Sequence, residues 1–294
     1  MAIPPSPSPP TLTLPLEGGG DRSNVARDVP IPTPPFLGTR VVDSVPLDRI
    51  YQYIDKIALF RGQWQFKQGA RDEETYNRQI AEEVEPILER VSQQAKAEAV
   101  LQPKLVYGYF PVNGVGNDLV VYDPEDPERE IERFTFPRQQ GRRRLCITDF
   151  FRPVESGERD VLGAFCVTMG AEATRRTREL FEANRYTDYL YLHGLSVQCA
   201  EALAELWHQR MRQEMGTDGE DAPTLRGLFA QRFRGGRYSF GYPACPNLED
   251  EERLFRLLGP ERIGCHLTEN WQIEPEQSTT AIICHHPEAK YFNA

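Results

Sequence analysis

No stretch of this 294-residue chain approaches the roughly eighteen consecutive apolar residues that a membrane-spanning helix requires, so no transmembrane segment is expected. A basic excess is missing too. Lys and Arg total 34 against 44 Asp and Glu, a formal net charge of −10, which argues against a general nucleic-acid binder that must displace phosphate counterions. The N-terminus has no basic segment followed by an apolar one, and no secretory signal is expected. No CxxC, HxxxH or HExxH occurs. The six cysteines (146, 166, 199, 245, 265 and 284) are widely spread and read as reduced, mostly buried thiols of a cytoplasmic protein, not a disulfide framework. Glycine fingerprints for phosphate are absent as well. Val112-Asn-Gly-Val-Gly-Asn117 contains GxG but no third glycine opening a helix. No internal repeat is found.

What is present divides unevenly. Ten of the 24 prolines lie in the first 35 positions, beside Gly18-Gly19-Gly20. Residues 1–36 are therefore expected to be a disordered, extended tether, too poor in apolar surface to offset the entropy of ordering. Residues 37–294 are expected to form one domain, long enough to bury a substantial core. Leu47, Ile50, Tyr51, Ile54 and Ile57 fall at helical spacing behind Ser44 and Pro46, predicting one helix with Asp55 near its end, where an acid opposes the helix dipole. Residues 72–100 predict helix interrupted at Pro86. Segments 105–110 and 118–122 predict a hairpin about the 112–117 turn, and 132–136 and 161–168 predict further strands. Helices are predicted over 171–183, 187–215, 225–233 and 249–258, with closing strands at 271–273 and 279–284. Strands and helices are grouped and do not alternate, which points to an α+β fold with a largely antiparallel, twisted central sheet and flanking helices.

The most unusual stretch is Arg237-Tyr-Ser-Phe-Gly-Tyr-Pro-Ala-Cys-Pro246. It is too rich in Gly, Pro and aromatics for a helix interior or a regular strand. Arg237 with Tyr238, Phe240 and Tyr242 presents one planar cation and three rings, which suits a ligand with a carboxylate and a heteroaromatic ring. A packed structural turn fits these ten residues equally well. Other chemistry is weaker. Cys265-His266 and Cys284-His285-His286 put neighbouring side chains on opposite faces of a strand, so neither offers a metal a converging set. Cys245 lies between Ala244 and Pro246 with no sign of a paired base, which favours a packed thiol over a nucleophile.

Residues 237–246 resemble the signature of the S-adenosylmethionine-binding activation domain of cobalamin-dependent methionine synthase. Supporting segments follow in that family's order: Val45-Pro-Leu-Asp48 with Tyr53-Ile-Asp55, Leu145-Cys-Ile-Thr-Asp149, Glu201-Ala-Leu-Ala-Glu205 with His208, Leu267-Thr-Glu269, and His286-Pro-Glu-Ala-Lys-Tyr-Phe292. The likeness covers roughly residues 36–294. It implies that Asp55, Arg237, Tyr291 and Phe292 contact S-adenosylmethionine, with backbone around Ser239 and Ala244 lining the ligand. A carboxylate suits the α-amino group, a guanidinium forks onto the α-carboxylate, and rings stack on adenine or face the sulfonium. Tyr242 matches a tyrosine near the reacting methyl group and Glu201 an acid turned towards the corrin, which makes these two the candidates nearest the chemistry.

The implied role is reactivation of methionine synthase, within methionine biosynthesis. One electron from a flavodoxin-like or other reductase and a methyl group from S-adenosylmethionine restore methylcobalamin on a separate cobalamin-binding domain. The alternative is a non-catalytic module that senses S-adenosylmethionine or docks a partner. Three departures from the family pattern stand out: Ser239 where alanine is frequent, Phe292 where tyrosine is usual, and Val197, one turn before Glu201, where relatives can carry an acid. No Asp-x-His-x-x-Gly cobalamin motif and no paired cysteines for a homocysteine zinc site occur, so this chain alone is not expected to make methionine.

Overall fold

The computed structural model describes residues 23–141 and 143–294. Its centre is β2 (Lys104–Val115), a strand long enough to serve two neighbours on one side. β1 (Gly38–Val42) pairs with its first half and β3 (Asp118–Tyr122) with its second. β4 (Glu130–Thr135) extends that side beyond β3. On the other side lie β5 (Asp160–Thr168), then β9 (Ser278–Cys284), then the three-residue edge strand β6 (Gly236–Tyr238). Every pairing is antiparallel, in the order β4-β3-β2-β5-β9-β6. β7 (His266–Leu267) and β8 (Ile273–Glu274) form a separate two-stranded hairpin.

The sheet is covered on both faces, which is why β5 reads as one continuous apolar run. Val161, Phe165 and Val167 point into one core, with Tyr107, Ala281 and Ile283. Leu162, Ala164 and Cys166 point into the other, with Val121, Phe134 and Ile282. Helices make the first layer: α1 (Leu47–Tyr51), α2 (Glu73–Gln79), α3 (Glu85–Ala97), α4 (Ala171–Glu182) and the 29-residue α5 (Tyr186–Glu214). α6 (Leu225–Phe229) leads into β6, and α7 (Asp250–Leu258) packs on the opposite face. α5 crosses the sheet at close range. A methyl group on Gly163 would sit 2.8 Å from Met211 Cε, and one on Gly194 would sit 2.8 Å from Gln63 and Trp64, so neither position has room for a side chain.

The α+β class and antiparallel sheet agree with expectation, as do α4, α5 and α7 within a residue or so. Four differences have physical causes. The predicted helix across 47–58 breaks after Tyr51 and restarts at 56, continuing as a π-helix over Ala58–Gln63. The interruption near Pro86 is a π-helical turn, Ile80–Val84, that runs directly into α3, where Pro86, with no N–H to donate, is the second residue. Arg237 lies on β6, not in an irregular loop, because the strand needs only three residues before the turn begins.

The fourth difference concerns the expected tether. Residues 1–22 lie outside the described residues, but 23–36 lie along the domain and are not a free tether. Val25 is buried in the α7-side core, and Ile31 and Phe36 pack on the helical side. The Phe36 ring meets Tyr107 and Tyr109 edge-on. Ala26 donates its N–H to Glu288 Oε1 at 3.2 Å and accepts from His286 Nε2 at 2.8 Å. A few apolar anchors suffice here because proline-rich chain has less backbone freedom to lose on ordering.

Candidate functional site

Three residues of α5 stand on one stripe: Glu201, Glu205 and His208, at i, i+4 and i+7. Opposite them runs β6, whose place at the sheet edge leaves Arg237 facing the helix across an open pocket. The lining is completed by Ser239, Tyr242, Ala244 and Cys245 after β6, by Gln231 and Phe233 before it, by Thr279 of β9, and by Tyr291 near the C-terminus. A cavity of about 190 Å³ lies between them and opens to solvent.

The turn holding the aromatic residues is built by its own sequence. Cys245 N donates to Tyr242 O and Gly241 N to Cys245 O, both at 2.9 Å, closing a turn with Pro243 at its second position. Gly241 has φ +87°, and a side chain there would also press on Leu248. Cys245 Sγ donates to Ser239 O at 2.9 Å, and burial pushes the thiol up to about 12, so it is a packing and hydrogen-bonding group, not a nucleophile. The Ser239 hydroxyl donates to Thr280 O at 2.7 Å. The extra oxygen that departs from the family's alanine thus has a partner in β9. The rim is aromatic: Tyr242 is 58% exposed and Tyr291 49%, unusual for rings of their size.

The floor is charged and incompletely paired. Arg237 Nη1 lies 3.5 Å from Glu205 Oε2, and Arg237 Nη2 lies 3.7 Å from Glu201 Oε2, both longer than the roughly 2.7–2.9 Å of a charge-assisted hydrogen bond. Arg237 Nη1, Glu205 Oε1 and both ring nitrogens of His208 are buried without a hydrogen-bond partner. Burial raises the Glu205 carboxyl above its usual range, against the lowering pull of Arg237 and Arg212. Burial, reinforced by Arg212 and Arg237, holds His208 well below the usual histidine range, and the ring is neutral at pH 7.

Of the residues singled out from sequence, Glu201, Arg237, Ser239, Tyr242, Ala244 and Tyr291 converge on this pocket. Asp55 and Phe292 do not line it. Asp55 was expected near the end of a helix, opposing its dipole. It instead starts the second helical segment, with Oδ1 accepting from Ile57 N at 2.9 Å and Ala58 N at 3.2 Å, where its charge favours the helix. Two residues earlier, Tyr53 reaches Gln209 of α5, which keeps this turn alongside the helix that carries Glu205. Phe292 is buried against Phe150 and Tyr238 and acts as core beneath the pocket wall. Glu205 and His208 received no role from sequence. Their signals were helical spacing from Glu201 and a place in one of the segments that carry the family resemblance.

The histidine and cysteine doublets take separate paths. His266 is exposed beside buried Cys265, and His285 meets Asp160 at 2.6 Å in the interior. Among the described residues no group of three or more His, Cys, Asp or Glu converges as a metal site, and no helix is long and apolar enough to cross a membrane.

A profile of the vitamin B12 dependent methionine synthase activation domain matches residues 46–294. Over 287 residues the chain is 44% identical to methionine synthase of Mycobacterium tuberculosis and 42% identical to that of Mycobacterium leprae, matching 93% of this chain in both cases. It spans 24% of the length of each of these relatives. A solved structure described as the MetH reactivation domain bound to AdoHcy superposes with a TM-score of 0.80 at 26% identity, covering 90% of this chain and 83% of that one.

Proposed function

The chain belongs to the family of vitamin B12-dependent methionine synthase activation domains, and from that membership we propose that it binds S-adenosylmethionine between α5 and the 236–245 segment and presents the methyl group to reduced cobalamin on a partner domain. One observation carries most of the weight: a half-buried guanidinium with an unpartnered, buried Nη1 faces an open pocket with an aromatic rim. The solved relative bound to AdoHcy, the demethylated form of the same ligand, supports the choice.

In this proposal Arg237 receives the ligand's α-carboxylate, and backbone at Ser239 and Ala244 lines its path. Tyr291 stacks on adenine. Tyr242, exposed at the rim, lies beside the sulfonium methyl, where a ring face attracts the positive charge. Glu201, at the outer end of the stripe, faces the incoming corrin. Reduced cobalamin on the partner supplies the nucleophile. This chain's residues bind and orient the donor, because a sulfonium is already a good leaving group and the remaining task is positioning. The chain acts as a component of methionine synthase within methionine biosynthesis, with a cobalamin-binding domain and a flavodoxin-like or other reductase as partners. Six buried, unbridged cysteines suit the reducing cytoplasm.

The test mixes the chain with a cobalamin-binding domain, a chemical reductant and methyl-labelled S-adenosylmethionine. Label on the cobalamin is expected. Binding without transfer would favour a ligand-sensing module, and no binding at all would end the proposal.

Phe292 supports the proposed site by packing under Tyr238, and the family resemblance makes Asp55, outside the pocket lining, a candidate contact for the ligand. Asp55→Asn keeps the helix cap and removes the charge. We expect it to weaken S-adenosylmethionine binding severalfold, with a urea midpoint lowered only slightly by the charge lost at the helix start. Unchanged calorimetric affinity would remove Asp55 from the site.

A further inference from the structure

Resting on the S-adenosylmethionine reading, the geometry points to Glu205 as a further binding residue, one that accepts the ligand's α-ammonium group beside the Arg237 clamp. In an amino-acid head group the ammonium and the carboxylate hang from one Cα. The ammonium's acceptor must therefore lie close to the guanidinium that holds the carboxylate. Glu205 meets that requirement, with Oε2 3.5 Å from Arg237 Nη1. The sulfonium, at the far end of the side chain, falls nearer the rim and Tyr242.

Bonding capacity agrees with position. Glu205 Oε1 and Arg237 Nη1 are both buried without a hydrogen-bond partner, and Glu205 lines the pocket. A buried polar atom left unpaired is costly, and here an acceptor and a donor are unpaired side by side. A zwitterionic head group is the complement of that pair. The loose contact between the two side chains lets each turn to the ligand without breaking a short hydrogen bond. His208, one turn further along α5, adds two more unpartnered atoms to the same floor.

The groups that face Glu205 are Arg237 from β6, Arg212 and Glu201 from α5, Asp221 from the segment after α5, and Tyr53 from the turn after α1. Burial raises the Glu205 carboxyl in the empty pocket, while a bound ammonium draws it back towards the carboxylate. Binding of a ligand that carries the head group is accordingly accompanied by proton release.

The experiment compares Glu205→Gln with the wild type by titration calorimetry against S-adenosylmethionine, S-adenosylhomocysteine and 5′-methylthioadenosine, which lacks the head group. The expected result is a loss of about ten- to a hundredfold for the first two and less than twofold for the third. An equal loss for all three would make Glu205 a shaper of the pocket and overturn the assignment, as would no loss for any. Wild type that binds none of the three would remove the S-adenosylmethionine reading itself. A second measurement needs no variant: wild-type heats at pH 6 in two buffers of different ionisation enthalpy. Proton release on binding S-adenosylhomocysteine but not methylthioadenosine is expected, and equal release for both would overturn the assignment.

Discussion

Arg237→Ala is expected to lower S-adenosylmethionine affinity by about a hundredfold or more. The guanidinium lies on an edge strand that is hydrogen-bonded to β9, so its backbone is fixed before ligand arrives. Its side chain is 24% exposed, between two acids that approach but do not satisfy it. Removing one member of a desolvated, charge-assisted pair costs about 2–5 kcal/mol, and each 1.4 kcal/mol is about tenfold in affinity. The loss has two sources. The ligand carboxylate forfeits its fork, and Glu201 and Glu205 lose the cation that offsets their charge. Arg237→Lys should recover only part of the affinity, since an ammonium cannot grip both carboxylate oxygens in one plane. Titration calorimetry on the two variants decides it. Unchanged affinity in Arg237→Ala would place the ligand elsewhere.

Glu251 should contribute stability that falls as pH rises from about 4.5 to about 7, and Glu251→Gln should remove that contribution. Glu251 stands in the first turn of α7, buried, with its carboxylate within 2.7 and 2.9 Å of the Thr280 hydroxyl. Burial pushes its carboxyl from the usual 4.5 up to about 7. The neighbouring acid Asp250 pushes the same way, and the Thr280 bond opposes both. Within that window the folded protein holds a proton that the unfolded chain has released. Stability present below pH 4.5 is therefore lost progressively as pH climbs through the folded value. At about 1.4 kcal/mol per pH unit the total is about 3 kcal/mol. Gln preserves the shape and can donate to Thr280, so the variant should be the more stable protein at pH 8 and nearly equal at pH 4.5. Urea unfolding of both proteins across that range is the check, and parallel curves would refute the cause. Thr280 also accepts the Ser239 hydroxyl through its carbonyl, so one residue of β9 touches both Glu251 and the pocket wall.

Much of the fold was legible locally. The apolar run 161–168 announced a strand, and the segment 187–215 announced the long helix that packs on the sheet. Less legible were elements whose cause lies elsewhere in the chain. β1 has an ordinary half-buried pattern and exists because β2 is long enough to pair it. Residues 23–36 look like linker by composition, yet Val25 and Phe36 find cavities provided by strands and loops far along the sequence. Asp55 was placed at the wrong end of a helix because the four-residue break at 52–55 has no strong breaker to mark it.

By itself the sequence determined the α+β class, the family through the loop and its ordered companions, and the two poles of the site, Arg237 and the aromatic rim. Those properties are carried by short runs of residues, where side-chain type and spacing suffice. Only the tertiary structure decided that Glu205 and His208 face Arg237 with bonding capacity unspent, that Tyr291 joins them while Phe292 turns into the core, and that Asp55 caps a helix outside the lining. A pocket floor joins residues 205, 237 and 291, and nothing in a local pattern tells a charged side chain which distant segment it will meet once the core has packed.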